Sequence, residues 1–323
     1  MNKAEQIKTI AMAEQAVANN PTAVEQQIDL GIAYFEAERY ADALTTFQKA
    51  SELAPDHARV YNWIGRAYYH LGPPEKAIVA YEHAIALSQA SIDPYFGLGI
   101  LYVAQLGDYA AGLAAFQRGL EHHPEEGFVR AFIGSTYARM GRFDDAIATL
   151  EQTIDQQPDN AFAYGWLSII YLYQKRFDDV ITACQQEIVI NDNHSARRVL
   201  GFAHDLLGRP EAAIAELERS IALEPEDYEA RGALARLYRT VGRRADAAEH
   251  HAIAAAQAQQ DNEYGQACFA AVSGKTEQAL TLLEAGLAKG QSQKGWARID
   301  PEFVFVSEDP RFQALITMEK SNA

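Results

Sequence analysis

Between Gly127 and Asn160 the chain reads GFVRAFIGSTYARMGRFDDAIATLEQTIDQQPDN, and helical apolar spacing runs, breaks and runs again within 34 residues. Ile133, Gly134 and Tyr137 fall on one stripe; Gly141 interrupts it; Ala146, Leu150 and Ile154 form a second stripe that Pro158 ends. That order predicts two antiparallel helices joined by a tight turn. A hairpin this thin cannot bury both apolar faces by itself, so it must stack against others like it.

The rest of the chain supplies them. A small residue in the first helix recurs as Gly31, Gly65, Gly99, Gly134, Ser168, Gly201, Ala235 and Ala267, at steps of 34, 34, 35, 34, 33, 34 and 32 residues. An aliphatic residue precedes each of the first seven markers, from Leu30 and Ile64 to Leu234, and Tyr34, Tyr68, Tyr102, Tyr137, Tyr171, His204 or Tyr238 follows. In the second helix Ala43, Ala77, Gly112, Ala146, Val180, Ala213, Ala247 and Ala279 recur in phase. Four positions on stand Phe47, Tyr81, Phe116, Leu150, Cys184, Leu217, His251 and Leu283.

Tyr61-x2-Ile64-Gly65-x2-Tyr68 with Ala77-x3-Tyr81, and Leu30-Gly31-x2-Tyr34 with Ala43-x3-Phe47 and Pro55, resemble the tetratricopeptide repeat (TPR) pattern, W-x2-L-G-x2-Y then A-x3-F then P. The resemblance runs over residues 24–290 and implies an all-α, right-handed superhelical solenoid. It divides the chain into a capping helix (1–23), seven units (24–57, 58–91, 92–126, 127–160, 161–193, 194–227 and 228–259), a degenerate eighth (260–290) and a C-terminal capping segment (291–323). Small markers let paired helices approach, and the aromatic residues fill the remaining space. Glycines such as Gly72, Gly141, Gly208 and Gly242 give left-handed turns, and Pro55, Pro124, Pro158 and Pro225 stop second helices. Asp56, Glu126 and Asp159 then lie near the positive starts of the helices that follow.

Ile7, Ile10, Met12 and Ala16 read as one helix covering the first unit, as an array's raw end requires. The third unit carries an extra residue near Gln105-Leu106, and glycines at 112 and 119. Those glycines fit either a crowded crossing or a soft joint. After residue 290 the pattern changes to GWARIDPEFVFVSEDPRFQALI. Asp300-Pro301 and Asp309-Pro310 read as N-caps followed by a first-turn proline. Trp296, Phe303, Phe305 and Phe312 make either a lid over the last repeat or an exposed dimerisation or docking surface.

The totals exclude several functions. With 28 Lys+Arg against 44 Asp+Glu, the formal charge is -16, unlike a nucleic-acid binder that must meet phosphates with positive charge. No continuous apolar run reaches about 18 residues, so no membrane insertion is expected. The start of the chain has no secretory leader pattern, and the expected location is cytoplasmic. Cys184 and Cys268 stand 84 positions apart with no CxxC and read as small core residues rather than a disulfide or zinc pair. His122-His123 and His250-His251 lack metal-ligand spacing, Asn191-Asp192-Asn193 is not a calcium loop, and Gly97-Leu98-Gly99 sits within a helix rather than after a strand. No catalytic residues, metal or cofactor are expected, and the chain is not read as an enzyme.

By the TPR resemblance, first helices line a concave groove through the fifth, ninth, twelfth and thirteenth residues of each unit. The candidate peptide-binding residues are Asn62, Arg66, Tyr69, His70, Phe96, Ile100, Val103, Arg139, Ile169, Leu172, Tyr173, Arg198, Phe202, Arg236 and Arg239. This surface is apolar and leans toward arginine in an acidic protein. It suits a protein or peptide partner with apolar anchors and acidic groups that guanidinium can grip. The other reading is that the bulky residues fill the coil and the arginines pair internally. Ile28 and Ile32 replace the Lys and Asn of a carboxylate clamp, which argues against a chaperone-tail receptor. The expected role is an adaptor or scaffold; self-association through the array ends is the alternative, and an enzyme-associated regulatory array ranks behind both.

Overall fold

The computed structural model describes residues 3–317; residues 1–2 and 318–323 of the two capping segments lie outside it. The described residues form helices without strands. The chain divides into two compact units between Val129 and Arg130.

The first unit begins with α1 (Lys3–Asn19). Two regular hairpins follow: α2 (Val24–Glu36) with α3 (Tyr40–Leu53), and α4 (Ala58–Leu71) with α5 (Pro74–Leu87). The third hairpin pairs α6 (Asp93–Ile100), continued by a π-helical turn over Leu101–Leu106, with α7 (Tyr109–His122). Helix α8 (Gly127–Arg139) spans the division. The second unit continues through α9 (Phe143–Gln156), α10 (Ala161–Tyr173), α11 (Phe177–Ile190), α12 (His194–Leu206), α13 (Pro210–Leu223), α14 (Tyr228–Thr240) and α15 (Arg244–Ala258). The last hairpin is α16 (Glu263–Val272) with α17 (Thr276–Ala288). The tail holds α18 (Lys294–Ala297), a 3-10 turn over Pro301–Val306, and α19 (Pro310–Ile316).

The periodic small residues are where paired helices cross. A Cβ at Gly65 would lie 2.7 Å from the Tyr81 ring, and one at Gly134 would lie 2.7 Å from Leu150 Cγ. Phe47, Tyr81, Phe116, Leu150 and Leu217, the residues that face these markers, are almost wholly buried. Where the marker is glycine, the hairpin is thus a glycine face closed by a large side chain.

Two expectations need correction. In α1 the covering residue is Ile10, with Ala13, Ala16 and Val17 partly buried; Ile7 and Met12 are exposed. Met12 lies two residues from Ile10, about 200° round the helix, so the two cannot share a face. The extra residue of the third hairpin is absorbed by the π-helical turn, which shifts the register beyond Leu101. Val103 is therefore buried, its Cγ2 only 2.5 Å from where a Gly112 Cβ would sit, while Ala104 is exposed. Gly112 and Gly119 both sit at close crossings, the latter against Ile92 and Tyr95. The starts of α10, α12 and α14 are capped by Asn160, Asn193 and Asp227, whose side chains accept backbone N–H bonds, and Asp159 stands one residue before the Asn160 cap.

Both cysteines are free and buried, and burial pushes both thiols up, Cys184 to about 12. No described helix is long and apolar enough to cross a membrane.

Candidate functional site

In the first unit the first helices of adjacent hairpins bring five of the predicted residues to one cleft. Arg66, Tyr69 and His70 come from α4, and Phe96 and Ile100 from α6; together they line an open space of about 350 Å³. Phe35 and Phe128 complete its apolar wall, and Tyr81 lies at its floor. The aromatic residues brace one another: Phe35 meets His70 edge-on at 5.3 Å, and Phe96 meets Phe128 edge-on at 4.9 Å. The Arg66 guanidinium lies over Trp63 at 4.1 Å and over Phe35 at 5.1 Å, so its orientation is set by stacking while its edge stays exposed. Burial, and then the Arg66 charge, hold His70 below its ordinary pKa, so it is neutral at pH 7. Asn62 is buried and lines a neighbouring cleft with Trp63 and Asp93.

The second unit's groove is arranged differently: the chain's own tail occupies it. The Arg139 guanidinium lies 5.3 Å from the Trp166 ring and 4.9 Å from Trp296 of the tail, and the two indoles meet edge-on at 5.9 Å. Leu172 and Tyr173 face Arg298–Ser307 across a gap with almost no free volume. Phe202 is wholly buried, with Phe305 edge-on at 5.1 Å, and the Arg236 guanidinium covers Phe305 from 4.6 Å. Arg236 also ion-pairs with Asp205 and donates to the Val272 carbonyl; Arg239 donates to the Ser273 carbonyl at 3.3 Å. Of the residues predicted there, Ile169 lines an open cleft of about 290 Å³ with Phe162, Glu187 and Val199.

Arg198 is the centre of a charged cluster beneath the tail. Its Nη1 donates to Asp227 Oδ1 at 2.8 Å and lies 4.0 Å from Glu229 Oε2. Its Nε lies 2.9 Å from Glu302 Oε1, an ion pair whose angles miss hydrogen-bond alignment, so both atoms are otherwise unsatisfied. Asp300 is buried beside Glu302, accepts from the Tyr264 hydroxyl at 2.7 Å and caps the 3-10 turn through Glu302 N–H. One guanidinium thus faces three carboxyl groups, with Asp300 a fourth carboxyl beside Glu302. Burial is the first cause that raises Glu229, to about 7; Arg198 opposes it and Glu302 and Asp227 add to it. Burial, then Glu302, keeps Asp300 well above the usual carboxylate range. Burial alone would lower Arg198, but Glu302, Asp227 and Glu229 outweigh it and hold it above its ordinary value.

Three of the predicted groove residues are therefore closed off, Val103 by its own helix packing, and Leu172 and Phe202 beneath the tail as well; Asn62 is buried but borders the neighbouring cleft with Trp63 and Asp93. The tail is more than a lid. Phe303 and Phe312 lock it into α16 and α17, while Trp296 and Phe305 reach back to α10, α12 and α14. Its aromatic residues are committed within the chain, which removes them as a free docking surface. Sequence reasoning missed Glu302, Phe305, Asp227 and Glu229 as groove residues. The available signal was complementarity: a segment dense in carboxylates and rings follows an array whose inner face is rich in arginine.

The architecture defines an all-α protein of stacked helical hairpins with a groove along its first helices. Models described as tetratricopeptide repeat match residues 28–92, 103–165 and 199–227. The chain belongs to the tetratricopeptide repeat family. It is 28% identical over 114 residues to the general transcriptional corepressor trfA of Dictyostelium discoideum, covering 35% of this chain and 8% of that protein. It is 25% identical over 125 residues to Hsp70-Hsp90 organizing protein 3 of Arabidopsis thaliana, covering 39% and 22%. The matches thus span less than a quarter of either curated relative. Among solved structures it is similar to the APC/C hetero-tetramer Cut9-Hcn1, with TM-score 0.59, 14% identity, and 79% and 51% of the two chains covered. It is also similar to the type IV pilus biogenesis factor PilW, with TM-score 0.55, 18% identity, and 62% and 94% covered. At these identities the structural likeness establishes the fold alone.

Proposed function

We propose that this chain is a non-catalytic adaptor, and that the cleft lined by Arg66, Tyr69, His70, Phe96 and Ile100 holds an apolar anchor of a partner protein. The observation that carries this is that the aromatic cleft of the first unit is open, whereas the groove of the second unit is filled by the chain's own tail. Proteins of this family generally act as non-catalytic adaptors, and the acidic total argues for protein rather than nucleic acid as the partner. We place it in the cytoplasm, a setting that suits two buried, unpaired thiols.

Magnitudes shape the partner. Each buried anchor is worth about 1.5–3 kcal/mol, whereas association costs about 4–15 kcal/mol. One or two anchors do not suffice, so the bound segment is longer than a dipeptide and uses charge as well.

Selection from a library of displayed peptides tests the reading. Enriched peptides should share an apolar anchor and lose at least tenfold in affinity for Ile100→Asp. They should bind Val79→Asp normally, because Val79 is an exposed residue of α5 that does not line the cleft. Equal losses from the two variants would overturn it.

A further inference from the structure

The tail in the second groove shows what such a groove accepts, and the repeat lets that be carried to the open one. Phe305 sits against two residues one period apart, Phe202 and Arg236. In the first unit the equivalent pair, also one period apart, is Ile32 and Arg66: again an apolar residue followed by an arginine. The third residue of each set differs. Three positions after Phe202 comes Asp205, which ion-pairs with Arg236; three positions after Ile32 comes Phe35, whose ring lies 5.1 Å from the Arg66 guanidinium.

The two arginines are therefore satisfied in opposite ways. Arg236 receives its carboxylate from its own array and its ring from the tail. Arg66 receives rings from its own array, Phe35 and Trp63, and no described carboxylate comes within 4 Å of it. Asp93 on the same cleft accepts a hydrogen bond from the Ser91 hydroxyl at 3.0 Å. At Arg236 the tail brings a ring and no carboxylate, whereas Arg66 already has its rings and leaves the anion to the occupant of its cleft. A guanidinium held flat by stacking keeps its edge free for two parallel N–H···O bonds.

We propose that the Arg66 cleft binds an acidic aromatic segment, a carboxylate residue within a few positions of a Phe, Tyr or Trp, with the carboxylate on Arg66 and the ring against Phe96 and Ile100. The tail supplies an example of that chemistry in Asp300-Pro301-Glu302-Phe303-Val304-Phe305. This rests on the cleft being a partner site, as proposed above, and adds the class of partner.

The test uses the full chain and a fluorescent synthetic peptide copying residues 300–309, read by anisotropy. One altered peptide carries Asn and Gln for its Asp and Glu residues; another carries Ala for both Phe residues. The acidic aromatic peptide should bind at least tenfold more tightly than either altered peptide. Its affinity should fall at least tenfold with Arg66→Gln and be unchanged by Arg236→Gln. Because the peptides carry half of the comparison, the outcome does not depend on one variant folding. If the neutral peptide binds as tightly as the acidic one, or Arg66→Gln has no effect while Phe96→Ala abolishes binding, the carboxylate requirement falls and the cleft survives as a partner site. Loss with Arg236→Gln instead of Arg66→Gln would mean exchange with the resident tail, and would end both. If no copy of the tail binds, while peptides selected as above still depend on Ile100, the acidic aromatic class alone is refuted.

Discussion

Glu229→Gln gives the most direct measure of the charge cluster under the tail. In the unfolded chain this carboxyl gives up its proton near 4.5; in the fold it does so near about 7, first because it is buried and then because Glu302 and Asp227 are close. Between those values the folded state holds the extra proton, so stability falls as pH rises from about 4.5 to about 7 and is level above that. The interval of about 2.5 pH units, at about 1.36 kcal/mol each, corresponds to a loss of about 3 kcal/mol by pH 8. Glutamine carries no charge at any pH and avoids the loss. The variant should match the parent near pH 4.5 and exceed it by about 3 kcal/mol at pH 8. Urea unfolding of the second unit, read from Trp166 and Trp296 in a Trp63→Phe background, would report it. With a slope of about 1–3 kcal/mol per M, the midpoint should move by about 1–3 M at pH 8. Arrays can unfold unit by unit, so only the transition that these indoles report enters the comparison. A gap that is the same at pH 5 and pH 8, or that narrows as pH rises, would refute the proton-holding cluster.

Two further outcomes follow from packing. Trp296→Ala removes a half-buried indole from Trp166 and Arg139 and should cost about 2 kcal/mol, with faster hydrogen exchange over 296–306; unchanged exchange would show that the tail does not lean on that stack. Gly134→Ala gains about 1 kcal/mol of helix propensity but places a methyl against Leu150 at an overpacking cost of about 1–3 kcal/mol, so thermal unfolding should show a net loss of up to about 2 kcal/mol; a variant about 1 kcal/mol more stable than the parent would refute the close crossing.

The hairpins were legible because a period is redundant. Gly31, Gly65 and Gly134 each mark a crossing, and Phe47, Tyr81 and Leu150 each close one, so a misreading at any single unit is corrected by the others. Arg66, Tyr69, His70, Phe96 and Ile100 meet in one cleft because their repeat positions put them on adjacent first helices. Val103 escaped that logic because one inserted residue became a π-helical turn, and a helix carries no internal mark of where its register slips. The fate of Leu172, Arg198 and Phe202 was equally hidden, since nothing local to those residues encodes a segment that lies about a hundred positions further on.

The sequence by itself therefore determined the repeating element, its glycine-to-large-residue crossings, and an inner face rich in rings and arginine. These are properties of spacing, and spacing is local. Tertiary structure alone decided which stretch of that face stays open. Phe303 and Phe312 anchor the tail in the last hairpin and so carry Glu302 and Phe305 over Arg198, Phe202 and Arg236. The choice between an empty cleft and a filled groove depends on where a non-repeating segment finds complementary charge and volume, and no period can announce that.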